Sequence, residues 1–126
     1  MSEHSTRMHR IETTENYGDI YEAVRRYVQD NNHERITLND YVRQSGYSMR
    51  QVQRALSWHN TNWQRMLLDE RMKRARTLLA NTNDTISRVA EQVGYDHSQF
   101  TRTFKAEEGL TPEEYRDDIR RAQMGA

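Results

Sequence analysis

The sequence contains no cysteine. Disulfides, Cys-ligated zinc and thiolate catalysis are excluded with it. Only one proline and five glycines occur in 126 residues, too little punctuation for a many-turned β fold. No apolar run approaches the ~20 residues that span a bilayer, and the first residues lack a signal-peptide-like apolar segment; a cytoplasmic protein is expected. Net charge is missing too, because 19 Lys and Arg offset 19 Asp and Glu. By itself that argues against a nucleic-acid ligand. Hydrophobic residues make up only 34% of the chain, yet they fall in periodic groups, so the sequence reads as folded rather than disordered.

The charge is unevenly spread. Residues 1–36 hold five Arg against seven acids, residues 37–105 hold eleven Lys and Arg against six acids, and residues 106–126 hold three Arg against six acids. A basic middle between acidic ends is compatible with DNA binding. Every basic residue except Lys73 and Lys105 is Arg, the better bidentate partner for guanine edges and phosphates. Compositional bias of the source genome accounts for the arginines equally well.

The apolar spacing is helical throughout. After a polar segment, residues 1–14, expected to be a flexible tail, a first helix is predicted from about Glu15 to Asn31 with Ile20, Ala23, Val24, Tyr27 and Val28 on its buried stripe. Thr37 reads as the N-cap of a short helix carrying Leu38, Tyr41 and Val42, which Gly46 ends. Ser48 caps the next, with Val52 and Leu56 inside. A long helix follows from about Asn62 to Ala80, with Trp63, Met66, Leu67, Met72, Ala75, Leu78 and Leu79 on one apolar face. Thr85 then caps a helix with Ile86, Val89, Ala90 and Val93, Gly94 ends it, and Asp96 caps another with Phe100 and Phe104 inside. After Gly109, Thr111-Pro112-Glu113-Glu114 is a capping-box helix start, followed by Tyr115 and Ile119. The expected fold is all-α, with about seven helices: a first subdomain over 15–60, a linker helix over 61–81 and a second subdomain over 82–122.

Residues 37–56 and 85–104 superpose at an offset of 48 without a gap. Thr37 meets Thr85, Gln44 meets Gln92, Gly46-Tyr47 meets Gly94-Tyr95, Ser48 meets Asp96, Val52 meets Phe100, Arg54 meets Arg102 and Leu56 meets Phe104. Each copy is a short helix, a Gly turn and a second helix, the helix-turn-helix layout. With Val52 inward, Arg50 and Arg54 lie roughly 160° away on either side, at ~100° per residue; Ser98 and Arg102 take the same places in the second copy. Met49 and Gln53, and likewise His97 and Thr101, flank them. Arg, Gln, Ser and Thr are side chains that read base edges in the major groove. A merely solvated polar face explains any one of these residues, but less well the matched arginines. The long helix, about 20 residues at 1.5 Å rise, spans roughly 30 Å, close to the ~34 Å between successive major grooves on one face of B-DNA.

The segments Thr37–Leu56 (TLNDYVRQSGYSMRQVQRAL), Arg71–Leu79 (RMKRARTLL) and above all Thr85–Arg116 resemble the DNA-binding domain of the AraC/XylS family. The likeness covers about residues 20–120. In the last segment it is carried by Ile86, Val89, Ala90, Gly94, Tyr95, Phe100, Arg102, Phe104, Gly109, Thr111, Pro112 and Tyr115. The short stretch before the first repeat makes the chain similar to the stand-alone MarA/SoxS/Rob-like members. The resemblance implies seven helices in two helix-turn-helix subdomains joined by a central helix. It implies a bacterial regulator, nucleoid-associated when bound, that binds double-stranded promoter DNA as a monomer or through a partner domain, the monomer being expected here, and that usually activates transcription by contacting RNA polymerase. Arg50, Gln53 and Arg54 match family base-contact positions in the first recognition helix; His97, Ser98, Gln99 and Thr101, with Arg102 close by, match those in the second, and Met49 joins them from the helical geometry. Thr37, Ser48, Thr85, Arg88 and Lys105 are expected on phosphates. Family members usually have one more residue between the Gly-aromatic pair and the second recognition helix, which leaves the register of that helix open by one residue.

Two other function classes are weaker. An enzyme would need a constellation the sequence lacks: His4, His9, His33, His59 and His97 show no metal-ligand spacing, and no phosphate loop or nucleophile elbow occurs. No catalytic residue, metal or cofactor is expected. A protein-interaction module is the second alternative, with Glu107-Glu108, Glu113-Glu114 and Asp117-Asp118 offered to a basic partner; helix-terminus charge explains the same residues.

Overall fold

The computed structural model describes residues 16–125; the expected tail, Glu15, His4 and His9 lie outside them. Among the described residues there are seven α-helices and no strand: α1 (Tyr17–Asn31), α2 (Leu38–Ser45), α3 (Met49–Trp58), α4 (Trp63–Asn81), α5 (Ile86–Gln92), α6 (His97–Glu108) and α7 (Pro112–Gly125). The chain divides into two compact units. The first comprises residues up to Asn31 together with Ile36–Leu68, and the second Asn32–Arg35 together with the chain from Asp69 onward. The boundary therefore runs through α4.

In the first unit α1 packs on α3, and α2 on α3. Ile20, Val24 and Val28 bury the predicted stripe of α1, joined by Tyr17, and they meet Tyr41, Val52, Ala55, Leu56, Trp63 and Met66. Ala23, Tyr27, Leu38 and Val42 are only half-buried. The rings of Tyr27, Tyr41 and Trp63 form a cluster, with centroids 4.9 Å apart for the tyrosines and 6.2 Å from each tyrosine to the indole. Full burial of aliphatic side chains such as Ile20, Val24 and Leu56 stabilises by roughly 1.5–3 kcal/mol each.

The second unit closes on Met72, Ala75, Leu79, Val89, Ala90, Val93, Phe100 and Phe104, all at most 2% exposed. The Phe104 ring lies tilted, 5.6 Å from Phe100, and makes an edge-on contact with Tyr115 at 5.4 Å. In α7 Pro112 and Arg116 are buried, while Tyr115 and Ile119 are half-buried. Arg116 Nε donates to the Leu79 carbonyl (3.0 Å) and Nη1 to the Asp84 carbonyl (2.5 Å). It thereby satisfies backbone acceptors left over where α4 ends. Arg120 adds a bond to Asn83 Oδ1 at 2.7 Å.

The single apolar face expected for α4 does not hold. At ~100° per residue, Met72, Ala75 and Leu79 fall on the other side of the helix wheel from Trp63 and Met66. Leu67 and Leu78 are half-buried. Each half of the helix serves the core of its own unit.

Candidate nucleic-acid interface

The two helix-turn-helix copies are built alike. In the first, Thr37 caps α2, Gly46 takes φ 84° and Ser48 caps α3. In the second, Thr85 caps α5, Gly94 takes φ 89° and Asp96 caps α6. The left-handed backbone at each Gly lets the chain reverse in the few residues between the helices. Each cap accepts a hydrogen bond from the N–H three residues on: Thr37 from Asp40 at 3.1 Å, Ser48 from Gln51 at 3.0 Å, Thr85 from Arg88 at 3.1 Å and Asp96 from Gln99 at 2.8 Å. Val52 and Phe100, at the same offset, are both 0% exposed. Phe100 thus faces inward and the second recognition helix starts at His97, which decides the register left open by the sequence.

With those positions turned in, the opposite faces are free. Arg50, Gln53 and Arg54 of α3 are exposed, as are His97, Ser98, Gln99 and Arg102 of α6. Met49 is half-buried. Thr101 departs from the expectation: it is half-buried, and its hydroxyl is sealed from solvent without a hydrogen-bond partner, so its polar atom is not on the outward face. Of the residues expected on phosphates, Thr37, Ser48, Thr85, Arg88 and Lys105 are all exposed. The three hydroxyls among them serve as cap acceptors and keep their own O–H to donate. Arg88 stands 3.9 Å from Glu91, a loose surface pair of little energetic weight. Beside Gln53 lies an open groove of about 760 Å³ floored by Leu38, Leu56 and Trp63.

Several residues that shape these faces were missed in the sequence. Gln51 is 7% exposed, because its side chain accepts the Ser48 N–H at 2.7 Å and closes a capping box. The Ser-x-x-Gln spacing was its signal. Its counterpart Gln99 is exposed. Arg71 braces the turn of the second copy. Its Nε donates to the Asn32 carbonyl (2.7 Å), its Nη2 donates to the Glu34 carbonyl (3.0 Å), and the guanidinium lies 5.1 Å from the centre of the Tyr95 ring, a cation–π contact. Gln92 donates to Asp84 at 3.0 Å, and Ser87 lies 2.8 Å from His97 Nδ1. Among the described residues no group of His, Asp and Glu is arranged to hold a metal, and no helix is long and apolar enough to cross a membrane.

Comparison with known proteins points the same way. A family model described as a helix-turn-helix domain matches residues 41–118. The transcriptional activator NphR of Rhodococcus is 32% identical over 97 residues, covering 75% of this chain and 29% of NphR. The raffinose operon regulatory protein RafR of Pediococcus pentosaceus is 30% identical over 95 residues, 74% of this chain and 34% of RafR. The chain thus spans about a third of the length of these relatives. A DNA-binding transcriptional dual regulator of Escherichia coli K-12 superposes with a TM-score of 0.73 at 27% identity, covering 78% of this chain and 89% of that one. The chain belongs to the AraC-type helix-turn-helix family, a family of DNA-binding transcription regulators and not of enzymes.

Proposed function

We propose that this protein is a sequence-specific double-stranded DNA-binding regulator that places α3 and α6 in adjacent major grooves of a promoter. The observation that carries the reading is the matched pair of exposed arginines, Arg54 and Arg102, each on the outward side of a capped helix whose opposite side is sealed by Val52 or Phe100. In this reading Arg50, Gln53, Arg54, His97, Ser98, Gln99 and Arg102 meet base edges, with Met49 and the methyl of Thr101 as apolar flanks. Thr37, Ser48, Thr85, Arg88 and Lys105 meet phosphates. The 19 residues of α4 rise about 28 Å, and a modest bend of the DNA, at a cost of a few kcal/mol, makes up the difference to one helical turn. Binding as a monomer, in the cytoplasm, and activation through contact with RNA polymerase belong to the same reading; NphR, described as an activator, lends it support.

Footprinting on DNA selected from random duplexes tests it: two protected half-sites about one helical turn apart are expected. Arg54→Ala should cost ~1–3 kcal/mol and relax preference at one half-site. Lys105→Ala should instead weaken all sequences alike and lower the salt slope by about one. Equal losses from Arg54→Ala on selected and random DNA would overturn base reading by α3.

A further inference from the structure

The two copies differ at the first residue of the recognition helix. In the first copy that residue is Met49, and the residue ten positions earlier is Asn39. In the second it is His97, and Ser87 Oγ lies 2.8 Å from its Nδ1. Met49 has no ring nitrogen to hold, so this contact belongs to the second copy alone. Both partners are exposed, so the bond contributes little to burial or to the core. What it does is geometric. The terminal torsion of a His side chain is broad and two-fold, so an exposed imidazole at a helix start would present either nitrogen. A partner at Nδ1 holds the ring in one orientation with Nε2 outward; a serine hydroxyl can either donate to Nδ1 or accept from it.

We infer that Ser87 is a specificity-determining residue that acts through His97. In this assignment its hydroxyl is the donor to Nδ1, so that Nε2 carries the ring proton and its N–H is the group offered to the DNA. This rests on the reading above, in which α6 faces a major groove. A lone N–H donor there is complementary to acceptors only: purine N7, guanine O6 and thymine O4, and not the exocyclic amines of adenine or cytosine. Purine N7 is the acceptor assigned, because it is common to adenine and guanine and has no counterpart on the pyrimidines. The second half-site should therefore contain one position read as purine against pyrimidine, with no counterpart in the first.

The test uses the whole chain, a site selected from random DNA, and duplexes in which each purine in turn is replaced by its 7-deaza analogue, which lacks N7. The wild type should lose about two- to tenfold in affinity at one such position, the size of a single hydrogen bond. His97→Ala should be indifferent to that replacement. Ser87→Ala should keep its affinity for random DNA and its melting temperature, yet lose most of the discrimination at that position, and Ser87→Thr, which keeps the hydroxyl, should restore it. If Ser87→Ala discriminates like the wild type while His97→Ala does not, the positioning role of Ser87 is refuted and base reading by His97 stands. If no 7-deaza position separates the wild type from His97→Ala, His97 reads no N7 and both ideas fall, leaving Arg54 and Arg102 untouched.

Discussion

The first and second helix-turn-helix copies share their turns but not their surroundings. Gly46 and Gly94 have nearly the same φ, 84° and 89°, yet a Cβ at Gly46 would meet nothing within 4 Å, whereas one at Gly94 would meet Arg71 Nη2 at 3.3 Å and the His33 carbonyl at 3.4 Å. The inward positions also diverge. Val52 packs among the residues around Trp63, while Phe100 and Phe104 belong to an aromatic cluster that continues to Tyr95 and Tyr115. One local design, a cap, a left-handed glycine and a second cap, is thus compatible with two different cores. Local hydrogen bonds and backbone preference fix the turn, and the volume behind it is filled independently.

The largest expected contrast lies in those cores. Phe100→Ala should destabilise the second unit by about 3–5 kcal/mol. Val52→Ala, which removes two methyl groups from the matching position, should cost the first unit about 1–2 kcal/mol. Chemical denaturation followed by near-ultraviolet signals and by hydrogen exchange in each unit checks both values. Similar losses at the two sites would mean that the copies fill their cores equivalently.

The glycines give the next contrast. Alanine at either site must adopt a left-handed backbone, at about 1–2 kcal/mol. At Gly94 the added Cβ must also push the Arg71 guanidinium aside by a few tenths of an ångström against its bonds to Asn32 and Glu34, so Gly94→Ala should cost more than Gly46→Ala. A double-mutant cycle sharpens this: in an Arg71→Ala background, Gly94→Ala should cost no more than Gly46→Ala does. An unchanged penalty there would remove Arg71 from the explanation.

The smallest effect concerns the caps of α2 and α5. Hydrogen bonding from Thr37, and then from Arg43, holds the Asp40 carboxyl below its ordinary value. A carboxylate with a depressed pKa contributes stability that is present above its unfolded value and is lost as pH falls through the folded one. The position matching Asp40 in the second copy is Arg88, which cannot lose charge in this way. Acidification below about pH 4 should therefore loosen the N-terminus of α2 while sparing that of α5, and Asp40→Asn should remove the difference. Amide exchange at the first turns of α2 and α5 across that range is the measurement.

Much of the candidate interface was legible because its determinants act over three or four residues. Thr37, Ser48, Thr85, Asp96 and Thr111 are each bonded as their spacing implies, and Thr111 with Glu114 forms the expected capping box at 2.9 and 3.1 Å. The outward set followed from a helical period once Val52 and Phe100 were taken as inward. Gln51 and Gln99 show where this stops. They occupy matching positions, yet Gln51 folds back onto Ser48 while Gln99 stays exposed, and only the Ser cap has its N–H tied to that glutamine. Thr101 lies at the edge of its face, and which side its hydroxyl takes depends on neighbours beyond the helix.

The amino-acid order alone determined the helix starts capped by Thr37, Ser48, Thr85, Asp96 and Thr111, the left-handed turns at Gly46, Gly94 and Gly109, and that one module occurs twice, because caps, glycines and apolar period are local forces; the left-handed Asn60 was not among them. Tertiary structure decided that α4 buries opposite stripes in its two halves. It also decided that Arg71 seeks a carbonyl 39 residues away and Arg116 one 37 residues away. Those choices depend on where loops leave unpaired backbone acceptors and on which side of a helix another surface arrives. Neither is written in the spacing of neighbouring residues.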